Sequence, residues 1–283
     1  MKILISILIF CIILFIYVHL HTQMTTSKLN EIYKYSMPTK SKIEEVCRLK
    51  QPTVFTCQKV DFFNQYNLKN LKENYPLKLM NVRKNTEINN EQHGYALVNT
   101  TECEKILESN KAYYSENNHE LLRGMNMDKL IEKTNFFKPP MTWSEKHDLV
   151  LGGEGSHTPL GYSLDFREFL IPTSGEIEVK LLNPSSRDDI DIHSDYLNLE
   201  FLSSLNPWDS NNPRQPTSSL TYLQVGEVLF IPSYWLSSVR FGKDAAFIRV
   251  RYRTPLGDLA NVQDHITSFL QNQNTSFKTM KTD

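Results

Sequence analysis

The feature that most constrains this chain is a succession of short apolar segments, separated by turn residues, that begins at Asp148. They fall at 148–152, 167–171, 177–182, 196–201, 219–222, 227–231, 236–241 and 245–253. Segments this short bury an apolar face only by pairing with one another, so their close spacing predicts a β-sandwich or barrel. Two of them alternate with period two. Arg249, Arg251 and Arg253 share one face of the last segment, opposite Ile248, Val250 and Tyr252. Glu176 and Glu178 share a face opposite Ile177 and Val179. An arginine row can bind an anion, but a complementary glutamate strand favours a solvated face on which the two rows pair.

The first half of the chain is mixed. Helical patterns occupy 41–49, 60–71, 116–122 and 127–133, and strand patterns occupy 51–57, 78–82 and 94–98. Thr101 and Glu104 have capping-box spacing at a helix start. The stretch 206–217, rich in Pro and Asn, reads as a loop, and 258–270 as a closing helix.

At the N-terminus, residues 3–20 are apolar except for Ser6 and His19. A helix needs about 20 such residues to cross a bilayer. No Ala-x-Ala-like site follows, which favours an uncleaved anchor over a signal peptide. Lys2 and the free amine favour a cytosolic N-terminus, and Lys28, Lys34, Lys40 and Lys42 blunt that bias. The expectation is a single-pass protein whose domain is luminal or extracellular. The chain divides into an anchor (1–22), a stem (23–45), one domain (46–257) and a C-terminal helix and tail (258–283).

With 31 basic and 32 acidic residues, the chain offers no basic excess for nucleic acid. Cys11 lies in the anchor. Cys47, Cys57 and Cys103 lack metal-type spacing and read as isolated buried thiols, with a Cys47–Cys57 disulfide as the alternative in a luminal domain. Sequons start at Asn99 and Asn274.

Two longer motifs carry a resemblance. One is Leu-Gly-Gly-Glu-Gly-Ser-His-Thr-Pro-Leu-Gly-Tyr-Ser at 151–163. The other is Gly-Glu-Val-Leu-Phe-Ile-Pro-Ser-Tyr-Trp-Leu-Ser-Ser-Val at 226–239, and Phe-Phe-Lys-Pro-Pro at 136–140 precedes both. Over most of 50–255 the chain resembles the cupin-like branch of the jumonji-C family of iron(II)- and 2-oxoglutarate-dependent dioxygenases. That resemblance implies a double-stranded β-helix, a squashed barrel of eight strands, within a mainly β protein with flanking helices. It also implies that Glu176 and Glu178 lie beside the arginine strand.

The same resemblance locates an iron site and shows it degenerate. Such a site needs two histidines and a carboxylate. The family's His-x-Asp/Glu element falls on Gly161, Tyr162 and Ser163, and its second His on Ser237. Of the cosubstrate contacts, the family's threonine is matched by Thr158 and its basic residue by Ser174. Tyr162 completes the residual pocket, and the structural positions Pro159, Gly226, Pro232 and Trp235 are kept.

The expected function is therefore a membrane-anchored, catalytically inactive member that binds a protein or small molecule, with no catalytic residue, metal or cofactor. The alternative is an active dioxygenase, with iron and 2-oxoglutarate, whose metal site is displaced onto His157, Asp165 or His193. His193-Ser194-Asp195 reads as a surface loop and His147 as a loop residue before a strand. A third reading is a sugar-modifying protein that uses Tyr113, Tyr114, Tyr162, Tyr234 and Trp235.

Overall fold

The computed structural model describes residues 2–27, 29–57, 63, 65–85, 96–125, 127–209 and 216–274. Strands of the first half are β1 (Tyr33–Ser36), β2 (Thr53–Thr56), β3 (Leu79–Lys84), β4 (Ala96–Asn99) and β5 (Tyr113–Ser115). Next come β6 (Ser144–Gly152), β7 (Leu160–Tyr162), β8 (Arg167–Ser174), β9 (Glu176–Leu182), β10 (Ile192–Asp195) and β11 (Glu200–Ser203). The last four are β12 (Ser219–Gln224), β13 (Glu227–Pro232), β14 (Leu236–Phe241) and β15 (Ala246–Arg253). Helices are α1 (Lys2–Met24), α2 (Lys40–Arg48), α3 (Leu68–Asn74) and α4 (Thr100–Ser109). They continue with α5 (His119–Arg123), α6 (Met127–Thr134), α7 (Pro255–Ala260) and α8 (Val262–Asn274).

The strands form two sheets, ordered β1-β2-β13-β8-β15-β6-β5-β3-β4 and β10-β11-β7-β14-β9-β12. From β6 the chain crosses from one sheet to the other and back. β6, β8, β13 and β15 form four adjacent strands of the first sheet, while β7, β9, β12 and β14 form four of the second. Pairing within these two sets is antiparallel.

Both faces of the first sheet are covered. Outward, Ile248, Val250 and Tyr252 of β15 join Phe169 of β8 and Phe230 of β13 in one buried cluster. Helices α2, α4 and α6 supply Ile43, Val46, Leu107 and Leu130 to it. Inward, Val150, Leu170, Leu229 and Phe247 meet Ile177, Val179, Leu181 and Phe241 of the second sheet. A bidentate bond from Arg167 of β8 to Glu44 of α2, at 2.9 and 2.8 Å, fixes the helical layer to the sheet.

Several expectations shift. Of the predicted strand at 196–201, residues 196–199 are the turn of the β10–β11 hairpin, where Asp195 accepts the backbone N–H groups of Leu197 and Asn198, and Glu200 and Phe201 begin β11. Strands β7 and β10 carry no expectation in the sequence. The helix expected from Thr101 is capped by Asn99, whose side chain accepts from Glu102 N. Thr100 instead donates to the carbonyls of Tyr75 and Lys78. Residues expected as a stem supply β1, which pairs in parallel with β2 at the sheet edge. The closing helix is two helices, α7 and α8. Parts of the expected elements at 60–71 and 94–98, of the loop at 206–217 and of the second sequon lie outside the described residues.

Helix α1 is long and apolar enough to cross a membrane, with a mean hydropathy of 3.0. Its partly buried residues, Ile16, His19, Leu20 and Gln23, recur on one face of its C-terminal half. There α1 packs on α7. Lys50 Nζ donates to the carbonyls of Thr22 and Gln23, which caps the helix C-terminus with a cation. All four cysteines are free thiols, and burial pushes Cys47 and Cys103 up to about 12.

The Gly-Gly pair of the first motif has a steric cause. A Cβ on Gly152 would sit 2.2 Å from the Phe241 ring, and one on Gly153 would sit 1.9 Å from the Leu107 carbonyl oxygen. The second obstacle is backbone and cannot rotate away. Gly153→Ala is expected to destabilise the fold by about 1–3 kcal/mol, the usual cost of overpacking. Urea denaturation of the variant against the parent chain measures it.

Candidate functional site

One end of the space between the sheets is apolar and the other is an open polar cavity of about 530 Å³. Strand alternation makes the division. On β15, inward-facing Phe247 is followed by inward-facing Arg249, Arg251 and Arg253. On β8 Leu170 gives way to Glu168, and on β6 Val150 gives way to Asp148. The arginine row is therefore not a solvated face, and its partners are not Glu176 and Glu178. Those two lie on β9 in the opposite sheet, and Glu178 pairs with Arg240. The neighbours of β15 are β6 and β8, and its apolar face is taken by the helical layer, so the charged face turns inward.

Opposite charges alternate across the cavity. Arg83 bridges Glu200 at 2.9 Å and Glu116 at 2.7 Å. Glu116 also meets Arg249 at 3.0 Å and accepts the Tyr114 hydroxyl at 3.0 Å. Arg249 and Arg251 both stand 3.3 Å from Glu168. Arg251 approaches Asp165 at 3.7 Å, and Arg253 bonds Asp258 at 2.9 Å. Asp148 accepts the backbone N–H groups of Asn117 and Asn118. Cavity-lining side chains include six cations and six carboxylates, so the charge is dense but balanced.

Burial opposes ionisation of Glu116, but Arg249, Arg83 and Arg251 outweigh it and hold the carboxyl near 2. Burial raises Asp148, with Glu116 adding to the effect against Arg249. Arg251 is held above its ordinary range because Glu168 and Asp165 overcome the cost of its burial. His147 is a buried residue of β6, not a loop residue. It bonds Thr134 at 2.8 Å, and burial lowers it to about 4.

The motif residues gather on the facing wall. Gly161 of β7 and Ser237 of β14 are register partners. Ser163 Oγ donates to Asp165 at 2.6 Å. Thr158 Oγ1 accepts Val239 N, and Tyr162 stacks on Phe201 while its hydroxyl accepts from Arg187. Pro159, Pro232 and Trp235 line the same space, and the buried Trp235 Nε1 has no hydrogen-bond partner. Gly226 lies elsewhere, at the β12–β13 turn with φ 103°. Ser174 is also outside the lining, where its hydroxyl donates to the Asp244 carbonyl beside the β8–β9 turn.

The iron-site positions do not fit a metal. Gly161 offers no donor, and a Cβ there would stand 2.8 Å from the Phe201 carbonyl oxygen of β11. The displaced set is not assembled either. Asp165 lines the cavity, His157 lies outside it in an isolated antiparallel backbone β-bridge to Arg240, and His193 is exposed on β10. Among the described residues no group of three His, Cys, Asp or Glu side chains could hold a metal ion. Of the aromatic residues expected for sugar binding, Tyr114, Tyr162 and Trp235 line the cavity, while Tyr113 and Tyr234 do not.

Sequence reasoning missed Arg83, Glu116, Asp148, Glu168 and Glu200. The available signal was charge inside apolar strands, as in Val82-Arg83 and Glu168-Phe169. No protein-family model matches this chain, and no curated protein matches it.

Glu116→Gln leaves Arg83 and Arg249 short of a buried counter-charge, a change worth about 3–5 kcal/mol of stability. The depressed folded pKa sets the sign with pH. The contribution is complete above the ordinary carboxyl value of 4.5 and is lost as pH falls towards about 2. Chemical denaturation of variant and parent chain across that window is expected to show their difference shrinking with acid.

Proposed function

We propose that this chain is a membrane-tethered binding module, built on a double-stranded β-helix of the cupin-like jumonji-C type, that has lost iron chemistry. The observation that carries the reading is Gly161 facing Ser237 across the β7–β14 ladder at one wall of the cavity. These are two positions where the resemblance expects imidazoles. The alternation of eight strands between two four-stranded sets supports the barrel. The two motifs support the family, since 158–163 and 231–237 both contribute to the cavity wall.

What remains is a recognition surface. Hydroxyls of Ser163 and Ser237 and the arginine–carboxylate network offer donors and acceptors to a small polar molecule or a peptide segment. The arginines and carboxylates of the network are held by one another, so they orient a ligand through hydrogen bonds. Helix α1 crosses the membrane in this reading, and Lys2 favours a cytosolic N-terminus with the module on the luminal or extracellular side.

Metal analysis of the purified full chain after exposure to iron(II), with an assay for 2-oxoglutarate consumption, tests the proposal. The expected result is neither stoichiometric iron nor turnover. Stoichiometric iron with turnover would overturn it. Restoring the ligands as Gly161→His, Ser163→Asp and Ser237→His is expected to lower stability without creating an iron site, because β11 occupies the space beside position 161.

A further inference from the structure

Helix α8 is amphipathic in the wrong sense for a helix surrounded by water. Its packed side is polar. Asn261, at its start, is 6% exposed and accepts the Tyr234 hydroxyl, Ser268 is 8% exposed, and His265 reaches Arg253. Its apolar residues face outward. Val262 is 45% exposed, Ile266 53%, Phe269 62% and Leu270 54%. At about 100° per residue these four fall within one stripe, roughly a third of a turn round from the packed face. Leu259 of α7 adds a further exposed apolar side chain just before it.

The position of α8 says what covers the stripe. Only Asn261 separates α8 from α7, and α7 packs on α1. The partly buried face of α1 lies in its C-terminal half, and Lys50 caps that same end. On the reading that α1 spans the bilayer, this is the end from which the folded domain begins. α8 therefore starts where the anchor leaves the lipid, with its apolar stripe exposed.

We propose that α8 lies in the membrane surface, its stripe of Val262, Ile266, Phe269 and Leu270 seated among acyl chains. Short interfacial helices bind in this way through buried apolar area. α8 carries no Lys or Arg, so the contact does not depend on anionic lipid and zwitterionic phosphatidylcholine suffices. The polar side of α8 faces the protein, and His265 lines the cavity. The helix is thus a plate between the lipid and one edge of the binding site.

The inference rests on α1 being an anchor, and one experiment separates the two claims. The full chain carrying Phe269→Trp is reconstituted in phosphatidylcholine vesicles with ordinary or brominated acyl chains. Carbonate-resistant flotation reads the anchor, and tryptophan emission reads α8. The expected result is flotation together with a larger loss of emission in brominated lipid than the parent chain shows. Adding Ile266→Glu is expected to abolish the extra loss without affecting flotation. A chain that floats but shows no extra quenching overturns the α8 proposal and leaves the anchor standing. A chain that does not float overturns both. Chains that cross-link in pairs through the stripe, with no extra quenching, assign it to a second copy and also overturn the proposal.

Discussion

The architecture depends on strand β15 having no solvent side. Its even-numbered residues Ile248, Val250 and Tyr252 are sealed under the helical layer, so its odd-numbered arginines have only the space between the sheets. Three guanidinium groups in that space require carboxylates, and the rest of the chain supplies them from separate elements. Glu168 comes from the neighbouring strand, Glu116 from the residue after β5, Asp165 from the β7–β8 turn and Asp258 from α7, while Glu200 of β11 joins through Arg83. The cavity is a consequence of this, because charged side chains that pair with one another leave polar room where apolar ones would have filled it.

Such a network is a poor source of net stability. Each pair gives up hydration about as large as the attraction it gains, so removing one member costs more than the pair contributes. The alternation Glu200–Arg83–Glu116–Arg249–Glu168–Arg251 joins residues far apart in the chain. Satisfying all of them together requires both sheets to be in place.

The strand framework was legible because short apolar runs bounded by turn residues, two of them with period-two alternation, mark strands even when buried. Segments near 177–182, 227–231, 236–241 and 245–253 lie within a residue or so of β9, β13, β14 and β15. Their direction was not legible, since alternation shows that two faces differ and not which one is inside. With a sheet covered on both sides, the rule that charge faces water fails, and the arginine row was assigned outward for that reason. The motif residues Thr158, Gly161, Tyr162, Ser163 and Ser237 share one cavity wall because they are close in the chain or on paired strands, and Ser174 lies outside it. The opposite wall was not legible, because Arg83 and Glu116 lie in ordinary-looking segments and become partners only through sheet pairing at long range. Capping failed in the same local way, with Asn99 taking the role that Thr101 was expected to fill.

The parallel pairing of β1 with β2 bears on where the molecule can act. Eight residues lie between the end of α1 at Met24 and the start of β1 at Tyr33. Even fully extended they reach about 30 Å. With Lys50 holding the last carbonyls of α1, and α7 resting against that helix, the described residues place α1 directly against the two-sheet domain. If α1 spans a membrane as proposed, the domain sits flush against the bilayer, and the contacts that fix its height also set its orientation.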